Sequence, residues 1–211
     1  MSSAAAKFAP PSDRDVTRLV REYPFAWLIT MGPVDFAATP LPLIPRVDEQ
    51  DSVIELRGHF ARSNPHVQLL RAAPRTLILF MGPHGYISSS WLADRTRTPT
   101  WNYAMVQYLV DIEFMEGPDE TNALISEQVE TMELGRPDAW SVPEMGPRYE
   151  RLVSGIVGFR AHIRERRVKY KLGQDERDPE YADITAALAS GSTEDSTLLE
   201  WMQRSNRARP G

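Results

Sequence analysis

The sequence predicts an α+β fold, an antiparallel sheet or barrel with helices at its periphery. Three observations point there. Runs rich in aromatic and β-branched residues recur along the chain, as in Phe25–Met31 (FAWLITM) and Arg75–Met81 (RTLILFM). Helical patterns stand singly between these runs, without the regular strand–helix alternation that winds a parallel sheet. The 211 residues, 42% hydrophobic and 25% charged, have the length and composition of one domain with a small appendage, and no segment repeats another.

Taken in order, residues 1–12 are small, polar and proline-containing and read as a flexible arm. Ser12 or Asp13 can cap a helix running to about Glu22, with Val16, Leu19 and Val20 as its buried stripe. Tyr23-Pro24 ends it, Phe25–Met31 is a strand, and Gly32-Pro33 is a turn. Asp35–Ile44 reads as a second strand that Pro40 and Pro42 confine to an edge or a bulge. A polar turn at Asp48–Ser52 leads into a third strand, Val53–Gly58. Ser63 then caps a helix to about Ala72, with Pro65 in its first turn. After the buried strand Arg75–Met81, Gly82–Pro99 is a long loop carrying His84, Tyr86 and Trp91. Thr100–Met115 is a long strand, Pro118–Leu134 an acidic-faced helix, and Arg148–Val153 a short helix after a loop. Ile156–Leu172 is a strand or a hairpin turning at Glu165–Arg167, and two short helices follow Tyr181. The expected organisation is an arm (1–12), a sheet domain (13–180) and a C-terminal helical extension (181–211).

Bulk chemistry narrows the function. There is no cysteine, so disulfides, thiolate catalysis and Cys-based metal sites are excluded. The net charge of -5 opposes a broad nucleic-acid-binding surface. The start lacks the apolar core of a signal peptide, and no run reaches membrane-helix length, so a cytoplasmic protein without a membrane partner is expected. A GxGxxG fingerprint, a Walker loop and a GxSxG elbow are all missing, as is a His-x-x-x-His zinc pair.

Four segments carry candidate chemistry. In Arg57–Pro65 a strand ends and a capped helix begins, which suits an anion, with His59, Arg62, Ser63 and Asn64 as donors. Gly82–Ser88 forms a shaped turn around His84, a candidate acid–base group. Pro99–Tyr103 sets Trp101 and Tyr103 beside Thr100 and Asn102, a combination suited to a flat heteroaromatic ligand. In Phe159–Leu172, Arg160, His162, Arg164 and Arg166 share a face that reads as solvated. Lys169 and Lys171, next to Gln174, are the better ligand contacts.

Together these segments resemble the PaiB family of FMN-binding negative transcriptional regulators. The resemblance rests on Tyr23–Ala26, Gly58–Pro65, Gly82–Ser88 with Trp91, Pro99–Tyr103, Ile156–Phe159 and Lys169–Gln174, all in family order. It implies an FMN-binding split β-barrel related to pyridoxamine-phosphate oxidase, and a homodimer with flavin sites at the subunit interface. The residues it implies for FMN are His59, Arg62, Ser63, Asn64, Thr100, Trp101, Asn102, Lys169, Lys171 and Gln174; His84 and Tyr103 are the catalytic candidates. This chain departs from the family at Pro40 and Gln107, where the family reads His, and at Gly173, where it reads Ser. Three functions compete: an FMN-dependent oxidoreductase acting on a small organic molecule, a flavin-binding regulator, and a flavin reductase or carrier. Direct DNA binding is the least supported partner, because the basic hairpin is also the flavin candidate.

Overall fold

The computed structural model describes residues 7–32 and 35–207. Residues 1–6 of the expected arm, Pro33 of the expected turn and residues 208–211 lie outside the described residues. Helix α1 (Asp13–Glu22) is capped by the Ser12 hydroxyl, which accepts from Asp15 N, and it fully buries Val16, Leu19 and Val20. The strands are β1 (Phe25–Met31), β2 (Phe36–Pro42), β3 (Ile44–Val47), β4 (Val53–Ala61), β5 (Arg75–Ile87), β6 (Thr100–Phe114) and β7 (Ile156–Lys171). Between them lie α2 (Pro65–Ala72), α3 (Pro118–Glu133) and α4 (Tyr149–Val153). The chain closes with α5 (Asp178–Ala189) and α6 (Thr193–Arg207).

All neighbouring strands are antiparallel, in the order β2-β1-β5-β6-β7-β4-β3. The edge strands β2 and β3 are separated in sequence by Leu43 alone. Seven strands laid flat would set the edges about 29 Å apart at about 4.8 Å per step, whereas the two steps from Pro42 to Ile44 span at most about 7 Å. The sheet is therefore rolled into a barrel with its seam at Leu43. This is why the expected single strand 35–44 is two. Gly58 of β4 passes under the seam: a Cβ there would lie 2.5 Å from Leu43 Cδ2 and 3.2 Å from Pro42 O. Only glycine fits without displacing the seam.

Two bulges set which side chains face outward. On β5 the register shifts between Met81 and His84, where Gly82 packs so closely that a Cβ would meet Leu19 and the Ala104 carbonyl. Ile78 and Phe80 point inward before it, and Ile87 after it. The strand thus continues past Met81 to Ile87, leaving a shorter loop than the sequence pattern implied. On β7 the expected turn at Glu165–Arg167 is absent. The strand is continuous, and Leu109↔Glu165 is followed by Val110↔Ile163, so Arg164 is the extra residue. A one-residue insertion exchanges the two faces of everything beyond it. Phe159 and Ala161 point inward before the bulge and Tyr170 after it, which turns Lys169 and Lys171 outward.

The ends of the chain are less detached than expected. Phe8 O accepts from Tyr170 N at 2.8 Å, so this part of the arm is docked on β7. Helix α5 begins at Asp178, and Ile184, Leu188, Leu198, Trp201 and Met202 of the two C-terminal helices belong to the main core. The expected extension is part of the domain. Among the described residues no helix is long and apolar enough to cross a membrane.

One outward sheet face is strongly apolar. Phe25, Trp27 and Met31 of β1, Phe36 of β2 and Met81 of β5 are exposed, Met31 by 76%. Cross-strand pairing continues this face through Leu77, Leu79, Met105 and Leu109. The row Pro40–Trp27–Leu79–Gln107–Arg167 runs across it. Both positions at which histidine is replaced relative to the family pattern therefore lie in a single row.

Candidate functional site

Apart from His59, the sequence candidates fall into two groups at opposite ends of β7. The first is the corner where β4 ends. Arg62 N donates to Gly155 O at 2.9 Å and Arg62 Nε to Ser154 O at 3.0 Å, stitching the corner to the start of β7. Asn64, not Ser63, caps α2: its Oδ1 accepts from His66 N at 2.9 Å and its carbonyl from Val67 N at 3.0 Å. Pro65 has no N–H, so the first-turn donors expected to cradle an anion are already used. What this corner offers a ligand is the outer guanidinium edge of Arg62 and the Ser63 hydroxyl, both exposed.

Behind the corner lies a histidine that the sequence reading did not single out. His66 is 1% exposed. Thr76 Oγ1 donates to Ile29 O at 3.0 Å, and Thr30 Oγ1 donates to Thr76 Oγ1 at 2.6 Å. Thr30 must then accept from His66 Nε2–H at 2.8 Å. That leaves His66 Nδ1 to accept from Thr39 Oγ1 at 2.9 Å, which in turn faces Asn64 Nδ2 at 3.5 Å. Every group in the chain is satisfied by a neutral imidazole, and burial holds the His66 pKa below its ordinary value. No motif signals this; it follows from threonines that only the rolled sheet brings together.

The second group lies where β6 begins and β7 ends. Trp101, 53% exposed, stacks beside His84 at 6.4 Å and tilts against Tyr86 at 6.0 Å between ring centroids. Lys169 Nζ stands 5.7 Å from the Tyr103 ring centre. Lys171 Nζ donates to Thr100 Oγ1 and, at 3.1 Å, to Trp101 O. A cavity of about 330 Å³ adjoins Lys171, lined also by Ser89, Arg97, Thr100, Asp175 and Glu176. His84 Nδ1 donates to Gly82 O at 3.0 Å, which leaves Nε2 as its acceptor.

Two candidates are corrected here. Asn102 is 1% exposed and points away from the Trp101 face, its Nδ2 donating to Met202 Sδ at 3.5 Å. Strand alternation sends its side chain to the face opposite that of Trp101 and Tyr103. Gln174 uses both ends of its amide on the main chain, accepting from Leu172 N at 2.7 Å and donating to Tyr170 O at 2.6 Å. It braces the turn at Gly173, whose φ of +81° is the left-handed conformation that glycine tolerates.

His59 belongs to a third place. It lines a cavity of about 510 Å³ between α3 and the segment leading through α4 to β7. Its Nδ1 lies 2.9 Å from Gln128 Oε1, and Gln128 Nε2 donates to Pro42 O at 2.7 Å. Desolvation lowers the His59 pKa, and the Gln128 bond offsets this only in part.

Charge pairing separates the basic residues of β7. Arg160 pairs with Glu120 at 2.7 Å, Arg164 with Asp111 at 2.7 Å, Arg166 with Asp13 at 2.7 Å and Arg167 with Glu165 at 2.7 Å. Among the described residues, Lys169, Lys171 and Arg62 have no carboxylate partner within 4.0 Å.

Known proteins agree with this architecture. A family model described as "Putative FMN-binding domain" matches residues 4–165, and so stops short of Lys169. The "Protease synthase and sporulation protein PAI 2" of Bacillus subtilis is 30% identical over 182 residues, 86% of this chain and 86% of its own. The flavocytochrome Anf3 of Azotobacter vinelandii is 13% identical with a TM-score of 0.62, over 82% of this chain and 74% of its own. The FAD and heme binding protein of Mycobacterium smegmatis is 15% identical with a TM-score of 0.61, over 87% and 80%. At such identities the two structures speak for the split-barrel fold alone. The family match and the Bacillus relative go further: the chain belongs to the PaiB-type family of FMN-binding domains, and FMN is the cofactor that membership assigns to it.

Proposed function

We propose that the protein is an FMN-dependent oxidoreductase for a small organic molecule, working as a homodimer with a flavin site at each subunit junction. The observation that carries the flavin placement is the pairing pattern. Among the described residues, Arg62, Lys169 and Lys171 are left without carboxylates, while Arg160, Arg164, Arg166 and Arg167 of β7 are each paired. Unpaired cations beside an exposed aromatic wall are the donor set that a mononucleotide needs: charge for the phosphate, flat faces for the ring.

The two ends of the site come from different copies. From Ile156 to Lys171, β7 runs 16 residues, about 50 Å of strand at about 3.3 Å per residue, so one flavin does not bridge its ends within a chain. The apolar face around Trp27 and Leu79 supports the second copy, since contiguous exposed apolar surface of this kind marks an interface. A two-fold axis there puts the same patch on both sides. Arg62 and Ser63 of one copy then hold the phosphate, while Thr100, Trp101, Lys169 and Lys171 of the other flank the ring. His59 and Asn64 act on the first group from behind. Bound FMN supplies the electron or hydride transfer. The chain orients it, and His84 or Tyr103 is positioned to move a proton at the open face.

A regulatory role is favoured by the name of the Bacillus relative. Such a role fits a protein partner better than DNA, because the basic run that DNA would need is spent on internal ion pairs. Anaerobic spectroscopy tests the enzyme reading. The expected result is FMN absorbance that bleaches with a reduced nicotinamide and recovers on adding an organic acceptor. A colourless protein that cannot be reconstituted with FMN would overturn it.

A further inference from the structure

We propose that the cavity beneath α3 is a binding site for a small aromatic molecule carrying one hydrogen-bond donor, of the phenol or indole class. The cavity is complete within one chain, so the proposal does not depend on the subunit junction. At about 510 Å³ it is in the size range of small-molecule sites. Its wall is apolar: Ile125, Val129 and Met132 of α3 face Leu152 and Ile156, and Trp140 borders them. Leu152 is 47% exposed and Trp140 37%, so apolar surface here stands open to water until something covers it. Methionine sulfur adds a favourable partner for an aromatic ring.

The polar groups of the wall decide what that occupant is. Gln128 must direct Nε2 at Pro42 O, because a carbonyl only accepts; Gln128 Oε1 therefore accepts from His59 Nδ1–H. The proton of His59 is thereby fixed on Nδ1. Nε2 is a bare acceptor with no protein partner among the described residues. The Tyr149 hydroxyl is committed to Asn122 Oδ1 at 2.9 Å. Glu133 is held by Trp140 N at 3.1 Å and Arg136 at 3.6 Å. No Lys or Arg lines the cavity. An anion finds no counter-charge, and a ligand that only accepts leaves His59 Nε2 unanswered. A flat apolar molecule with a single N–H or O–H meets every feature of the wall.

Indole and N-methylindole, titrated separately by calorimetry into the FMN-reconstituted protein, test this. N-methylindole keeps the flat bicyclic ring and carries a methyl group in place of the donor hydrogen. Indole is expected to bind about tenfold tighter, the worth of one hydrogen bond to an otherwise unpaired group. In His59→Leu the preference is expected to vanish. Ile125→Trp, or Val129→Trp if the first fails to fold by circular dichroism, is expected to abolish both titrations with flavin content unchanged. The proposal is overturned by no binding of either probe to folded wild type, by equal affinities for the two probes, or by a preference that survives His59→Leu. Undiminished indole binding in a folded cavity-filling variant also overturns it, because the probe would then be elsewhere.

Discussion

The two ends of β7 carry the same sign of charge and do opposite things with it. From Arg160 to Arg167 each cation meets a carboxylate supplied by α1, α3, β6 or β7 itself. Six residues further on from Ile163, at Lys169, the carboxylates stop; Lys169 lies over an aromatic ring and Lys171 donates to a hydroxyl and a carbonyl. The difference teaches that a basic run is not a basic surface. The field a ligand meets is set by which cations the fold leaves unanswered, and here the boundary falls between Arg167 and Lys169.

The largest expected effect concerns the unanswered cations. Arg62→Ala and Lys171→Ala each remove a charge-assisted hydrogen bond, about 1.5–3 kcal/mol, or roughly 10–150-fold in FMN affinity. Arg164→Ala, at a neutralised position, is expected to change affinity less than about twofold on the same scale. Mixed dimers sharpen the comparison: Arg62→Ala paired with Lys171→Ala leaves one junction intact and is expected to recover one native-affinity site per dimer. Fluorescence titration of the mixture reads this directly. Absence of recovery would place both residues in one copy's site, and an Arg164→Ala loss matching Lys171→Ala would erase the distinction between the ends.

A second effect belongs to the neutral histidines near the start of β7. His59 and His66 have folded-state pKa values below the ordinary value, burial being the main cause in both. The unfolded chain therefore binds more protons than the folded one as pH falls through about 6.5. Their contribution to stability is complete above that pH and declines below it. Urea midpoints measured at pH 7.5 and 5.5 are expected to fall with acidity, and the fall is expected to shrink in His66→Gln. An unchanged pH slope in that variant would show that His66 is not the group being protonated.

The smallest effect is on the paired arginines themselves. Hydrogen bonds from Arg75, and then from Arg164, draw the Asp111 pKa down to about 2. Both guanidinium groups are more than half exposed, so water screens them and neither pair contributes strongly to stability. Arg164→Ala is expected to move the urea midpoint only slightly, and less still in high salt. A loss of several kcal/mol would mean that the bulge, and not the ion pair, depends on Arg164.

Much of this was legible in the sequence. The periodicity of α1 and the confinement of β2 to an edge by Pro40 and Pro42 follow from local pattern. What escaped has a common cause. On β7 the inward set changes from Phe159 and Ala161 to Tyr170, a change of parity that a turn and a bulge explain equally well from sequence. Adjacency in sequence suggests that Asn102 and Trp101 act together, although alternation sends adjacent side chains to opposite faces. The His66 chain and the shared row of Pro40 and Gln107 depend on residues from strands far apart in sequence, and no window along the chain contains them.

The position of β7 in the sheet also governs how the molecule is made. It lies between β6 and β4, and its partners on β4 precede it by about a hundred residues. Contacts of that span are slow to form, because the closure entropy is lost before the contacts return it. The hairpins β1–β2, β3–β4 and β5–β6 can form as they are synthesised, but β4 and β6 each keep an unpaired edge until β7 arrives. Open edges are templates for other chains. The emerging polypeptide is therefore most vulnerable to misassembly between the synthesis of Phe114 and that of Lys171, and closure of the barrel is the step that ends the exposure.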